Sequence, residues 1–88
     1  MLRIVFSSHG WKRFTQRSSE FNLCLEEAEK RVFDAVLQGN HSSTVKSRVN
    51  KVYYRYYDDN ICFFVYGFEN KRTDVFRVES VILKRGRE

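Results

Sequence analysis

The chain contains no proline. It therefore has no cis-proline turn and no proline-rich linker. Glycine occurs only four times and never in a cluster, so there is no glycine-rich phosphate loop. The two cysteines, Cys24 and Cys62, lack metal-type spacing, and the two histidines, His9 and His41, do not form a ligand pair. No metal site and no cofactor is expected. One disulfide is arithmetically possible, but residues 1–8 are too short and too polar at their end for a signal peptide. The expectation is two reduced thiols in the cytoplasm, with Cys62 a small core residue. No apolar run approaches the roughly 20 residues that cross a bilayer, so no membrane partner is expected.

Aromatic side chains and positive charge are plentiful. Eight Phe, five Tyr and one Trp are many for 88 residues, and most are expected in the core. The length suits a single domain, residues 1–88, with one modest core. The net charge of +5 is uneven. Residues 1–19 hold Arg3, Lys12, Arg13 and Arg17 and no acid. Residues 20–40 hold five acids against Lys30 and Arg31, and residues 41–88 are again basic. A basic surface built from the first and last thirds suits a polyanion such as RNA, although solubility alone also accounts for such a charge.

Periodicity orders the chain as helices first and strands afterwards. Leu2 to Phe6 is a short strand candidate. Ser7 and Ser8 supply capping hydroxyls for a helix over 9–17, with Trp11 and Phe14 on its buried side. Gly10 weakens its first turn. A second helix over 23–38 buries Leu25, Ala28, Val32, Ala35 and Val36, widened by Phe33 and Leu37. Gly39 is its expected stop, in the left-handed conformation, and His41 follows as a loop residue. Residues 49–57 alternate, with Lys51, Tyr53, Arg55 and Tyr57 sharing one face. Asp58-Asp59-Asn60 is a turn that tolerates positive φ. Residues 61–68 read as a central strand buried on both faces, with Phe64 and Val65 among the most buried residues. Residues 75–83 form the last strand, with Phe76, Val78 and Ile82 facing one way and Arg77 and Glu79 the other. The fold class is α+β: two N-terminal helices packed on a three- to four-stranded antiparallel sheet.

The candidate chemistry centres on His9, Arg13 and Arg17. They are four apart on the first helix and project from one side of it. An imidazole can move protons near neutrality, and guanidinium groups hold phosphate through paired hydrogen bonds. The same stripe is also what an ordinary solvated helix face looks like. Cleaving RNA without a metal needs a base for the 2′-hydroxyl, an acid for the leaving oxygen, and positive charge on the phosphorane. Glu79 or a tyrosine (Tyr53, Tyr57) is a candidate second proton-transfer group, and Arg77 a sheet-side phosphate partner. Arg55 and Arg77 are expected to lie outward on strands flanking the central one. Lys12, Arg55, Lys84, Arg85 and Arg87 are candidate nucleic-acid contacts. Cross-strand packing of the tyrosines and an ion pair at Glu79 are the bland alternatives.

The segment Ser8-His9-Gly10-Trp11-Lys12-Arg13-Phe14-Thr15-Gln16-Arg17 resembles the opening of a family of short bacterial and phage domains. Their pattern is a small strand, then His-small-x-x-Arg-x-x-x-Arg on a helix, a second helix ending in glycine, and a strand meander. That family looks related to the RelE-type and barnase-like small ribonucleases, which include toxins of toxin–antitoxin pairs. The resemblance implies a RelE-like fold, a metal-independent endoribonuclease activity on RNA, ribosome-associated RNA included, and an acidic antitoxin partner. It also implies functional roles for His9, Arg13 and Arg17. The chain departs from the pattern in three places. Gly10 stands where alanine is usual, the segment Ser18–Asn22 lacks a glycine, and the basic tail offers Lys84, Arg85 and Arg87 but no tyrosine. The competing expectation is a non-catalytic small regulator that binds nucleic acid or protein.

Overall fold

The computed structural model describes residues 2–42, 50–58 and 60–86. The elements in chain order are β1 (Arg3–Phe6), α1 (Ser8–Glu20), α2 (Leu25–Gln38), β2 (Asn40–Ser42), β3 (Lys51–Tyr56), β4 (Ile61–Asn70) and β5 (Val75–Arg85). The α+β class and the two helices on a sheet are as expected. The sheet itself is not the expected three- to four-stranded antiparallel meander. It has five strands in the order β1-β5-β4-β3-β2, and it is mixed, because β1 runs parallel to β5. The strand expected over Leu2 to Phe6 is present as β1, but at an edge and parallel to β5. The unexpected strand is β2, whose three residues are too few to show a period of two and include His41, expected in a loop.

The parallel pairing of β1 with β5 decides where the site lies. It places the first and last segments of the chain side by side, Arg3 opposite Val75 and Phe6 opposite Val78. Their positive charge therefore gathers at one end of the strand order, remote from β2.

α1 starts where β1 stops. Ser7 caps it, its Oγ accepting from the Gly10 N–H at 2.9 Å. The helix is a turn longer than expected and continues to Glu20, with the Ser18 hydroxyl donating to the Phe14 carbonyl at 2.8 Å. Its buried stripe is Gly10, Phe14 and Ser18, not Trp11 and Phe14. Trp11 is 44% exposed and meets Phe6 edge-on from the helix flank. Gly10 is required by close approach: a Cβ there would run into the Val78 carbonyl oxygen. α1 follows β5 in the same direction, from that Gly10–Val78 contact to the Phe21 ring under the Arg85 guanidinium.

α2 buries Ala28, Val32, Ala35 and Val36, while Leu25 and Leu37 are exposed at its two ends. Gly39 ends it with extended backbone, φ −80° and ψ 179°, not in the left-handed conformation. Its glycine is needed for space, since a Cβ would lie 2.6 Å from the Tyr54 carbonyl oxygen. Asn60, in the turn before β4, does take positive φ, at 63°.

β4 is central, as expected, and Val65 is fully buried. Phe64 is only half-buried, because no described helix covers that face of the sheet. The core lies on the other face, where Ile61, Phe63 and Val65 meet Phe76, Val78, Val81, Leu83, Phe14 and the α2 stripe. β5 changes parity midway. Gly67 pairs with Val78 and Tyr66 with Ser80, which leaves Glu79 as an extra residue in a β-bulge. The bulge sends Val81 and Leu83 into the core and turns Ile82, expected beside Phe76 and Val78, to the opposite face.

Tyr57 ties β3 to α2 by donating to the Arg31 carbonyl at 2.6 Å. Burial, then the nearby Asp34 carboxylate, push its phenol well above the usual range. A raised folded-state value favours folding fully below the unfolded phenol value of about 10, and that contribution is lost as pH rises through the folded value. Tyr57→Phe should cost about 1 kcal/mol at pH 7 and flatten the loss of stability between pH 9 and about 11. Urea melts of both proteins across that range check this, and an unchanged alkaline fall would contradict it.

Candidate functional site

The bulge in β5 and the start of α1 meet at Ser7. The Ser7 hydroxyl has one proton and two acceptors in reach, Glu79 Oε2 at 2.8 Å and the Val78 carbonyl at 3.1 Å. The shorter, charge-assisted contact is the stronger. Arg77 Nε donates to the other carboxylate oxygen, Glu79 Oε1, at 2.8 Å. Each carboxylate oxygen thus has one donor and keeps further lone pairs. The extra residue of the bulge is the reason Glu79 reaches this position. In regular pairing it would face a partner on β4.

His9 is the second residue of α1, two residues beyond Ser7, and its side chain is exposed. With Gly10, Phe14 and Ser18 turned inward and Trp11 on the flank toward Phe6, the stripe of His9, Arg13 and Arg17 forms the opposite flank. Among the described residues, neither His9 nor Arg13 has an ion-pair or hydrogen-bond partner for its side chain. Arg17 is held within its own helix, Nη1 donating to Glu20 Oε1 at 3.1 Å, while its Nε is buried without a partner. The structure therefore links Ser7, Glu79 and Arg77 by hydrogen bonds at the start of α1, and His9 is the second residue of that helix. It leaves Arg13 one turn and Arg17 two turns along the same helix.

Other expected members are placed elsewhere. Arg55 is not beside Arg77. It lies on the helix-covered face, donating to Asp34 Oδ1 and Gln38 Oε1 of α2, both at 3.2 Å, whereas Arg77 lies on the open face over the Phe68 ring. Tyr57 is committed to Arg31, and Tyr53 donates to Glu69 Oε1 at 3.3 Å. Lys51 donates to that same oxygen at 2.9 Å. This bond from Lys51 holds the Glu69 carboxyl below its ordinary range and raises Lys51, while burial raises Tyr53. That trio fastens β3 to β4. Lys12 is exposed on the outer side of α1, and Lys84 is exposed over the Phe64 ring. Arg87 lies outside the described residues. Among the described residues no group of three or more His, Cys, Asp or Glu side chains is arranged to hold a metal ion. No described helix is long and apolar enough to cross a membrane.

The Ser7–Glu79 link was not foreseen from sequence, since Ser7 was assigned only to capping. The row of rings on the open sheet face was hidden by reading β4 as buried on both sides. The alternation Cys62, Phe64, Tyr66, Phe68 opposite Tyr54 and Tyr56 was the available signal. No protein-family model, curated protein or solved structure matches this chain.

Proposed function

We propose that the protein binds RNA and cleaves it without a metal, at the junction of α1 and the β5 bulge. The observation that carries this reading is Glu79, lifted out of register by the bulge and fixed by Ser7 at the helix start that bears His9. A carboxylate bonded to the residue that caps α1, and an imidazole in the first turn of that helix, are the groups we assign as base and acid of a phosphodiester transfer. Glu79 takes the proton of the 2′-hydroxyl as that oxygen attacks phosphorus. His9 gives a proton to the departing 5′-oxygen. Arg77 and Arg13 carry positive charge for the phosphorane, and Arg17 extends it along the helix. The products are a 2′,3′-cyclic phosphate and a free 5′-hydroxyl. The resemblance of Ser8–Arg17 to the opening of short bacterial and phage domains, a family that looks related to RelE-type and barnase-like ribonucleases, supports the same class of reaction and a toxin-type, cytoplasmic role. An acidic antitoxin-like protein covering this basic region is the corresponding partner.

The test is incubation of purified protein with total RNA in excess EDTA, with the product ends analysed. Cleavage leaving cyclic phosphate supports the reading. Intact RNA, bound in a salt-dependent way, would replace it with that of a non-catalytic RNA-binding regulator.

A further inference from the structure

We infer that the sheet face opposite the helices is a stacking platform for unpaired RNA bases. The inference deepens the proposed function by naming the substrate as single-stranded, and it rests on that reading only for the choice of RNA. An antiparallel sheet normally turns polar residues to its wet side. Here five rings occupy it: Tyr54 and Tyr56 from β3, and Phe64, Tyr66 and Phe68 from β4. All five are half-buried, with ring surface left accessible. Tyr54 and Phe64 lie nearly parallel, centroids 5.4 Å apart at 25°. Tyr56 stands edge-on to Tyr54 at 6.4 Å.

Charge decides the occupant. Lys84 Nζ sits 5.5 Å from the Phe64 ring and the Arg77 guanidinium 5.6 Å from the Phe68 ring. Each pair sets a cation over a ring, so positive charge for a phosphate and apolar ring surface for a base occur together on one face. Tyr56, Phe64, Lys84, Arg85 and Gly86 line a cleft of about 210 Å³. At the other end of the face, Val5, Phe68, Lys71, Val75 and Arg77 line a broader hollow, where Glu69 is neutralised by Lys51. The two ends are roughly 20 Å apart along β5 at the usual strand rise, room for several stacked nucleotides. The cations set against the rings, in a chain of net charge +5, favour a polyanion as the occupant. Arg77 also holds Glu79, so the platform runs into the proposed site along one strand.

The experiment is fluorescence anisotropy with a labelled 2′-O-methyl oligouridylate, which cannot react through its 2′-oxygen. Binding is then read separately from cleavage. Wild type should bind this single strand and bind an RNA duplex of equal length at least 10-fold more weakly. Phe64→Leu and Phe68→Leu keep an apolar side chain, and each should weaken single-strand binding about 10-fold, within the range of one lost base stack. Lys84→Gln, at an exposed position where folding is not at risk, should lower the slope of log affinity against log salt by about 0.7. Equal affinity for single strand and duplex, or wild-type affinity and salt slope in Lys84→Gln, would overturn the platform. So would a wild-type dimer in sedimentation that Phe64→Leu dissociates, because that assigns the face to a second copy. Loss of cleavage in a His9 variant that retains oligouridylate binding would leave the platform standing.

Discussion

His9→Ala protein should cleave RNA about two to four orders of magnitude more slowly than wild type, the usual worth of general acid–base catalysis. Its affinity for RNA should be nearly unchanged. In the proposed mechanism charge on the phosphate comes from Arg77 and Arg13, and in the proposed platform base stacking comes from a sheet face to which the imidazole does not belong. The helix should also survive, because His9 is exposed and the first turn is fixed by the Ser7 cap and by Gly10 against Val78. Single-turnover rates at saturating protein, with binding measured separately, divide the two effects. A variant that melts like wild type and cleaves at its rate would remove His9 from the chemistry. One that cleaves normally but binds weakly would make it a contact residue.

Gly10→Ala should destabilise the protein by about 2 kcal/mol, roughly 10 °C in melting temperature for a domain of this size. Helix propensity alone points the other way, toward a gain of about 1 kcal/mol. The collision wins because the added Cβ meets a backbone carbonyl, Val78 C=O, which cannot rotate aside as a side chain can. That carbonyl also accepts from the Ser7 N–H at 3.0 Å, so moving it loosens the Ser7–Glu79 junction. Activity should therefore fall further than the folded fraction does. A Gly10→Ala protein as stable as wild type would mean that α1 does not pack backbone to backbone on β5 at Val78.

Gly10 shows how far the sequence could be read. Its type was visible, and so was the inference that its helix depends on tertiary packing. The reason, an approach of helix backbone to strand backbone, depends on the pairing of β1 with β5 across most of the chain, which no local pattern encodes. The helix α2 and the strand β3 were legible from periods that persist over six or more residues, β4 from its apolar run, and β5 from the alternation ahead of its bulge. The three-residue β2 and the parallel docking of β1 were not. The bulge at Glu79 was the costliest omission. One extra residue inverts every side chain after it, so Ile82 was placed on the wrong face, and the residue that joins His9 at the candidate site was seen only as a neighbour of Arg77. The stripe of His9, Arg13 and Arg17 was legible from spacing alone. Its geometry separates the three, with Arg17 tied to Glu20 and His9 next to the cap.

The central claim is that His9 and Glu79 act together on one phosphodiester. The most direct measurement is a double-mutant cycle on the cleavage rate, comparing wild type, His9→Ala, Glu79→Gln and the double variant under single-turnover conditions in EDTA. Groups that serve one proton-transfer cycle are strongly non-additive. Each single change should cost about two to four orders of magnitude, and the double variant should be about as slow as the slower single one. Losses that multiply, or a Glu79→Gln protein that cleaves at the wild-type rate, would contradict it.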